Sequence, residues 1–177
     1  CDRRQRQMCI RDSIKMYLKG HHAKEAFKNM DVIVSSGEAL ERSLLDEICD
    51  ISDAKIYNPL GPSECSVWNL GGELKMDEEK INITLGKPIA NTQIYVLNSK
   101  MQLCPLGVPG ELGIAGAGVG NGYLNRPDIT AERFIQNPFY DKKTNPSAGK
   151  ILYRTGDLVR QTTDGNIEYL GRIDTQV

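Results

Sequence analysis

The sequence predicts an α/β chain in two parts: a strand–helix–strand unit over residues 13–80, then a β-rich unit over 81–172. Three observations predict it. The β-branched run Val32-Ile33-Val34 is followed by an amphipathic stripe, Leu40, Leu44, Leu45 and Ile48, and then by the strand-like Ala54-Lys55-Ile56-Tyr57. That order over that distance is a βαβ unit, whose two strands run parallel. Seven of the 17 glycines fall between Gly107 and Gly122, where the backbone must turn often or pass close to something. Short strand-like segments joined by Gly and Pro then argue for a small β-barrel or sandwich.

Taken in order, residues 13–18 and 23–28 read as helical, broken at Gly20. Val32-Ile33-Val34 suits a buried strand, and Ser35-Ser36-Gly37 a turn. The Leu40 stripe gives one buried helix face. In the second part Thr92-Gln93-Ile94-Tyr95-Val96-Leu97 has strand composition. Residues 130–135 read as a brief helix that Thr130 is able to cap. Asp164-Gly165 separates 158–162 from 166–170, a hairpin signal whose connection exceeds two residues. The first dozen residues differ from the rest. They hold four arginines and no lysine, and Met8-Cys9-Ile10-Arg11-Asp12 resembles the translated end of a transposase adapter used in sequencing libraries. Residues 1–12 are therefore expected to be an artefact outside the fold. The rival reading is a basic arm that binds a polyanion.

Composition narrows the function classes. The 177 residues are 40% apolar and 25% charged, which excludes a disordered tail, a collagen-like repeat and a coiled coil. No run reaches the roughly 18 apolar residues a membrane span needs, so no membrane partner is expected. Twenty-two basic against 23 acidic residues leave a net charge of −1, and no global field favours nucleic acid. Five cysteines at irregular spacing, with no CxxC pair, argue against a zinc site or a disulfide framework. A reducing, cytoplasmic setting fits them.

Three loops hold the chemistry. Asn58-Pro59-Leu60-Gly61-Pro62-Ser63-Glu64 follows a predicted strand, and ligands of open α/β sheets bind beyond the carboxyl ends of strands. Asn58 offers a carboxamide suited to a base edge, Ser63 a hydroxyl for a phosphate, and Glu64 a hard oxygen for Mg²⁺ held with substrate phosphates. The plain alternative is a turn with Glu64 solvated. In Tyr153-Arg154-Thr155-Gly156-Asp157, a carboxylate at a strand end can accept both hydroxyls of a ribose, or else bond its own turn. In Gly171-Arg172-Ile173-Asp174, Arg172 can reach a ribose or phosphate through its planar fork. Asp174 is either a hinge or a surface aspartate. The glycines of 116–122 match neither GxxxxGK[ST] nor GxGxxG and read as structural. Trp68 and the pair His21-His22 read as packing and surface residues.

Together these loops form an ordered set. Ser36-Gly37-Glu38-Ala39-Leu40 precedes the Asn58 loop. Leu85-Gly86-Lys87-Pro88-Ile89-Ala90-Asn91, Gly107-Val108-Pro109-Gly110-Glu111-Leu112 and Gly122-Tyr123-Leu124-Asn125-Arg126-Pro127-Asp128 follow it, ahead of the Tyr153 and Gly171 loops. From about residue 13 to 177 this set resembles the adenylation domain of nonribosomal peptide synthetases, within the adenylate-forming superfamily. The stretches 85–97 and 122–134 resemble the peptide-synthetase branch rather than acyl-CoA ligases.

The resemblance implies a fold: a partial Rossmann-like βαβ segment followed by a small distorted β-barrel subdomain, with residues 173–177 leading to a C-terminal subdomain. It implies a reaction in which an amino acid carboxylate attacks the α-phosphate of ATP, giving aminoacyl-AMP and pyrophosphate with Mg²⁺. The acyl group then passes to the phosphopantetheine thiol of a carrier domain, beside a condensation domain of the same assembly line. It implies roles too. Asn58 and Leu60 face adenine, Ser63 and Glu64 the α-phosphate and Mg²⁺, and Asp157 and Arg172 the ribose. Asp174 is the hinge, and Val34, Ser36, Pro59, Val67 and Trp68 line the amino acid pocket. Leu60 stands where the family usually has an aromatic ring, so it packs on a base face without aromatic stacking. Ser35-Ser36 replaces a usual Gly-Gly, and Gly120-Asn121 a common Ala-Arg. No phosphate loop with its lysine precedes residue 13, and no lysine motif follows 177. The expectation is a slice of a larger domain, inactive alone because catalytic groups that act as a unit fail together. Two further readings stay open: a slice of an acyl-CoA or aryl-acid ligase, and a β-rich binding module that stands by itself.

Overall fold

A computed structural model describes residues 14–16, 18–37, 40–74 and 83–173, without the side chains of 21–24. The segment 1–12 and the hinge residue Asp174 lie outside the described residues.

Residues 14–16 and 18 are helical. Helix α1 (His21–Lys28) starts two residues before the expected 23, because Gly20 is already extended (φ −93°, ψ 133°) and serves as its N-cap. Strand β1 (Val32–Val34) pairs parallel with β2 (Lys55–Tyr57), Ile33 opposite Ile56. Helix α2 (Arg42–Cys49) connects them and buries Leu44, Leu45 and Ile48. This completes the predicted βαβ unit. Its core joins Leu18, Phe27, Ile33, Leu40, Leu44, Leu45, Ile48 and Ile56. Fully burying each such side chain contributes about 1.5–3 kcal/mol. β1 was expected to be buried throughout, but Val32 and Val34 are 50% and 44% exposed. Side chains alternate across a strand, and only the Ile33 side meets α2. Strand β4 (Glu73–Leu74) adds antiparallel to β2, giving the order β1-β2-β4.

The second part is one five-stranded antiparallel sheet. It holds β6 (Thr92–Leu97), β7 (Gly110–Gly116), β8 (Phe134–Gln136), β9 (Ile151–Gln161) and β10 (Ile167–Arg172). The order is β10-β9-β7-β6, with β8 also on β9. A two-stranded pair, β3 (Leu70–Gly71) with β5 (Lys87–Pro88), lies beside it in sequence. One face of the large sheet buries Val96, Leu112, Ile114, Tyr153, Val159 and Ile167 with Cys65, Leu70 and Leu85. The other buries Leu97, Ala115 and Leu152, roofed by Tyr95 stacked on Phe139 (ring centroids 4.5 Å). Two residues of the first core, Cys65 and Leu70, precede residue 81, so the β-rich segment does not close its own interior.

Two sequence expectations shift here, and the hairpin with its longer connection holds. The helix placed at 130–135 is α3 (Pro127–Arg133), and residues 134–136 are strand β8. Proline at the first helical position sets the start, since its ring fixes φ and its missing N–H is not needed there. Thr130 is thus interior and caps nothing. Its hydroxyl instead accepts the Tyr123 N–H (2.9 Å). The β9–β10 connection uses 162–166: Thr162 N–H donates to the Asn166 carbonyl and Gly165 N–H to the Thr162 carbonyl, with Gly165 at φ 83°. Asp157 was placed after a turn at a strand end. It lies inside β9, and the Thr-Gly step before it is an irregularity in that strand. Among the described residues, no helix is long and apolar enough to cross a membrane.

Candidate active site

The segment from Asn58 to Leu70 runs from the end of β2 into the core of the β-rich sheet. Asn58 is buried where β2 ends. Its amide nitrogen donates to the Ser35 carbonyl (2.5 Å), and its oxygen accepts the Leu40 N–H (3.3 Å). Both ends of the carboxamide therefore fasten the loop after β1 to the loop after β2, a bracing role absent from the sequence reading. Ser36 extends that fastening. Trp68 Nε1 donates to Ser36 Oγ (2.9 Å), which donates to the Pro59 carbonyl (3.1 Å). Three expected pocket residues, Ser36, Pro59 and Trp68, are thus brought together. Val34, Val67 and Trp68 are all exposed. Val67 holds φ 72° right after Ser66 at φ 66°. A β-branched residue in the left-handed region is strained. Gly61 makes that turn possible: a Cβ there would lie 2.4 Å from the Val67 carbonyl oxygen. Leu60 is half-buried and packs against the β-sheet core.

Ser63–Cys65 is a single 3₁₀ turn. Ser63 is exposed, Glu64 half-buried and Cys65 buried. Burial, helped by the Glu64 charge, pushes the Cys65 thiol up to about 12, so it is a packing residue rather than a nucleophile. The glycine-rich stretch after β7 lies against this turn. Gly120 N–H donates to the Glu64 carbonyl (2.8 Å), and Ser66 Oγ to the Gly118 carbonyl (2.9 Å). A Cβ on Gly118 or Gly120 would sit 3.0 Å and 3.1 Å from the carbonyl oxygens of Cys65 and Glu64. The close approach expected of these glycines is this contact, and no phosphate cradle is needed to explain them.

The Glu64 carboxylate accepts the Tyr123 hydroxyl at 2.6 Å, and that hydroxyl lies 3.3 Å from the Tyr153 hydroxyl. Burial first, then the Glu64 hydrogen bond, raises the Tyr123 pKa. Burial first, then the Tyr123 hydrogen bond, raises that of Tyr153. Both stay protonated donors at neutral pH. Phe134 packs against both rings, edge-on to Tyr123 (5.4 Å) and tilted to Tyr153 (4.9 Å). Among the described residues no group of three His, Cys, Asp or Glu side chains is arranged to hold a metal. A single anchored carboxylate fits Mg²⁺ that keeps waters and substrate phosphates, and it does not fit a closed all-protein cage.

Asp157 and Arg172 face each other across β9 and β10, and Arg172 Nη1 donates to Asp157 Oδ1 (2.9 Å). Asp157 lies four positions beyond Tyr153 on β9, roughly 13 Å at the usual rise. The long strand β9 thereby links the Glu64 group to the Asp157 group. Sequence reading missed Tyr123 as a partner of Glu64, because the two are 59 positions apart. The one available signal was a tyrosine closing a run of glycines.

Three comparisons bear on this arrangement. Residues 7–124 match the family described as AMP-binding enzyme. Bacitracin synthase 3 of Bacillus licheniformis is 44% identical over 155 residues, covering 87% of this chain and 2% of that synthase. Tyrocidine synthase 1 of Brevibacillus parabrevis is 40% identical over 158 residues, covering 89% and 14%. This chain therefore spans a small part of those relatives. Among solved structures, the artificially fused adenylation–PCP di-domain NpsA-ThdA from Klebsiella oxytoca superposes with a TM-score of 0.74 at 30% identity, over 90% of this chain and 31% of that one. A holo four-domain nonribosomal peptide synthetase bound to AMP and glycine gives 0.69 at 39% identity, over 82% and 10%. The chain belongs to the AMP-binding enzyme family, on the branch of the nonribosomal peptide synthetase adenylation domains.

Proposed function

We propose that this chain is part of an adenylation domain that activates an amino acid for nonribosomal peptide synthesis. The carboxylate of the amino acid attacks the α-phosphorus of ATP. The bond from that phosphorus to the bridging oxygen breaks, pyrophosphate leaves, and aminoacyl-AMP remains. A carrier domain's phosphopantetheine thiol then attacks the acyl carbon and AMP departs. The observation that carries this reading is the 39% identity to the synthetase bound to AMP and glycine. The anchored carboxylates of Glu64 and Asp157 support it.

In this reading Asn58 holds the two loops that wall the adenine site, and Leu60 packs below the base. Ser63 donates its exposed hydroxyl to the α-phosphate. Glu64 would hold Mg²⁺, which when bound would supply positive charge to the phosphates. Asp157 accepts the ribose hydroxyls while Arg172 donates beside it. Ser36, Pro59 and Trp68, with Val34 and Val67, line the amino acid pocket, and Asp174 is the hinge to a C-terminal subdomain. The parallel β1–β2 unit is then part of a Rossmann-like sheet, and the five-stranded sheet part of a distorted barrel. The working partners are an amino acid, ATP, a peptidyl carrier domain and a condensation domain. The free thiols Cys49, Cys65 and Cys104 suit the cytoplasm.

The test is pyrophosphate exchange into ATP by the enzyme that contains this chain, against a panel of acids. Exchange that depends on one or a few amino acids is the expected result. Exchange supported only by fatty or aryl acids would overturn it in favour of the acyl-CoA or aryl-acid ligase reading. The stand-alone β-rich module is disfavoured by the burial of Cys65 and Leu70 in the sheet's core.

A further inference from the structure

We infer that Glu111 is a positioning residue for the nucleotide's ribose, acting on Asp157 through the Gly156 peptide. The inference rests on the proposed ribose role of Asp157. Glu111 pairs with Leu158 across β7 and β9, and Gly113 pairs with Arg154. Between those pairs β7 offers only Leu112 while β9 offers Thr155, Gly156 and Asp157. Residues in such a bulge lose their ladder partners. Here side chains replace the ladder. Thr155 Oγ1 donates to the Leu112 carbonyl (2.9 Å) and accepts the Asp157 N–H (3.0 Å). Gly156, at φ 76°, donates its N–H to Glu111 Oε1 (3.2 Å), and its carbonyl accepts the Ile173 N–H (2.8 Å).

Glu111 is therefore the acceptor for the Gly156 N–H, which the hydroxyl of Thr155 does not serve. Its other oxygen accepts from Arg154 Nε (3.1 Å) and Nη2 (2.7 Å), a fork that fixes the carboxylate's orientation. The Glu111 side chain is 11% exposed, so water does not readily substitute. An ordinary surface ion pair would need none of this. Without the Glu111 acceptor, Gly156 is free to rotate its peptide and carry Asp157 out of line with Arg172.

The experiment uses the whole synthetase and compares ATP with 2′-deoxy-ATP in amino-acid-dependent pyrophosphate exchange. Glu111→Met keeps the length and removes the acceptor. It is expected to raise KM for ATP about tenfold or more and to shrink the preference for ATP over 2′-deoxy-ATP, with KM for the amino acid unchanged. Glu111→Gln retains an acceptor oxygen and restores most of that preference. Arg154→Met keeps the Glu111 acceptor but removes the fork that orients it, and shrinks the preference only part of the way. If Asp157→Asn collapses the preference and Glu111→Met does not, the inference about Glu111 is wrong. If Asp157→Asn leaves the preference intact, the ribose reading falls and this inference with it.

Discussion

Replacing Tyr123 with Phe deletes one oxygen and tests whether Glu64 is held or merely nearby. The deleted hydroxyl donates to the Glu64 carboxylate at 2.6 Å and touches the Tyr153 hydroxyl at 3.3 Å. A hydrogen bond to a charged group contributes about 1.5–3 kcal/mol. Tyr123 and Glu64 are both half-buried, so water recovers part of that. About 1–2 kcal/mol remains, a factor of roughly 5–30. The ring stays, because its edge contact with Phe134 does not involve the hydroxyl. The loss should therefore fall on the Glu64 carboxylate rather than on the core. The assay is a double-mutant cycle of Tyr123→Phe with Glu64→Gln in the whole enzyme, reading the Mg²⁺ concentration for half-maximal exchange. Coupling of about 1 kcal/mol is expected, since the phenyl ring has nothing left to hold when the carboxylate is gone. Additivity within about 0.3 kcal/mol would refute the claim that Tyr123 acts through Glu64.

Gly61→Ala places a methyl 2.4 Å from the Val67 carbonyl oxygen, so it should cost about 1–3 kcal/mol in urea unfolding and weaken nucleotide binding, which equilibrium binding of AMP would measure. Ile48→Ala empties a fully buried site on α2 and should cost about 2–5 kcal/mol by the same unfolding assay, with KM for ATP unchanged in the surviving folded fraction. The buried Cys65 thiol, pushed up to about 12, should escape alkylation in native protein at pH 8 while unfolded protein reacts fully. Its folded pKa lies above its unfolded value near 9, so the stability it contributes is complete below pH 9 and falls as pH rises from about 9 toward 12. Cys65→Ala should flatten that part of the pH–stability curve, and an unchanged slope would count against burial as the cause.

The sequence revealed whatever depends on short-range periodicity. Leu44, Leu45 and Ile48 had to face one way on any helix, and Ile33 and Ile56 then had only that face to meet. The hairpin around Gly165 was equally legible. What stayed hidden depends on distant register. Asp157 was recognisable as a carboxylate after glycine, yet its place inside β9 follows from three residues opposing one on β7. Neither strand records that count. Asn58 could be read as a polar group near a ligand, but its bonds to Ser35 and Leu40 require β1 and β2 to be parallel neighbours first. The helix at Pro127 was misplaced for a local reason: Thr130 drew attention as a cap, and the stronger signal, proline at the first position, lay three residues earlier. Glu64 was visible while Tyr123 was not, because a charged side chain advertises chemistry and a tyrosine hydroxyl does so only once its partner is known.

The segment between Asn58 and Leu70 has its first residue bonded to the loop after β1 and its last buried in the core of the five-stranded sheet. It closes on itself, since the Leu60 N–H donates to the Leu70 carbonyl (3.1 Å) and the Leu70 N–H to the Leu60 carbonyl (2.9 Å). Residues 61–69, Glu64 among them, are thus a closed loop whose aim is set by the Leu60–Leu70 bridge. Lengthening that loop by one residue would leave the bridge and both cores intact and still misaim Glu64.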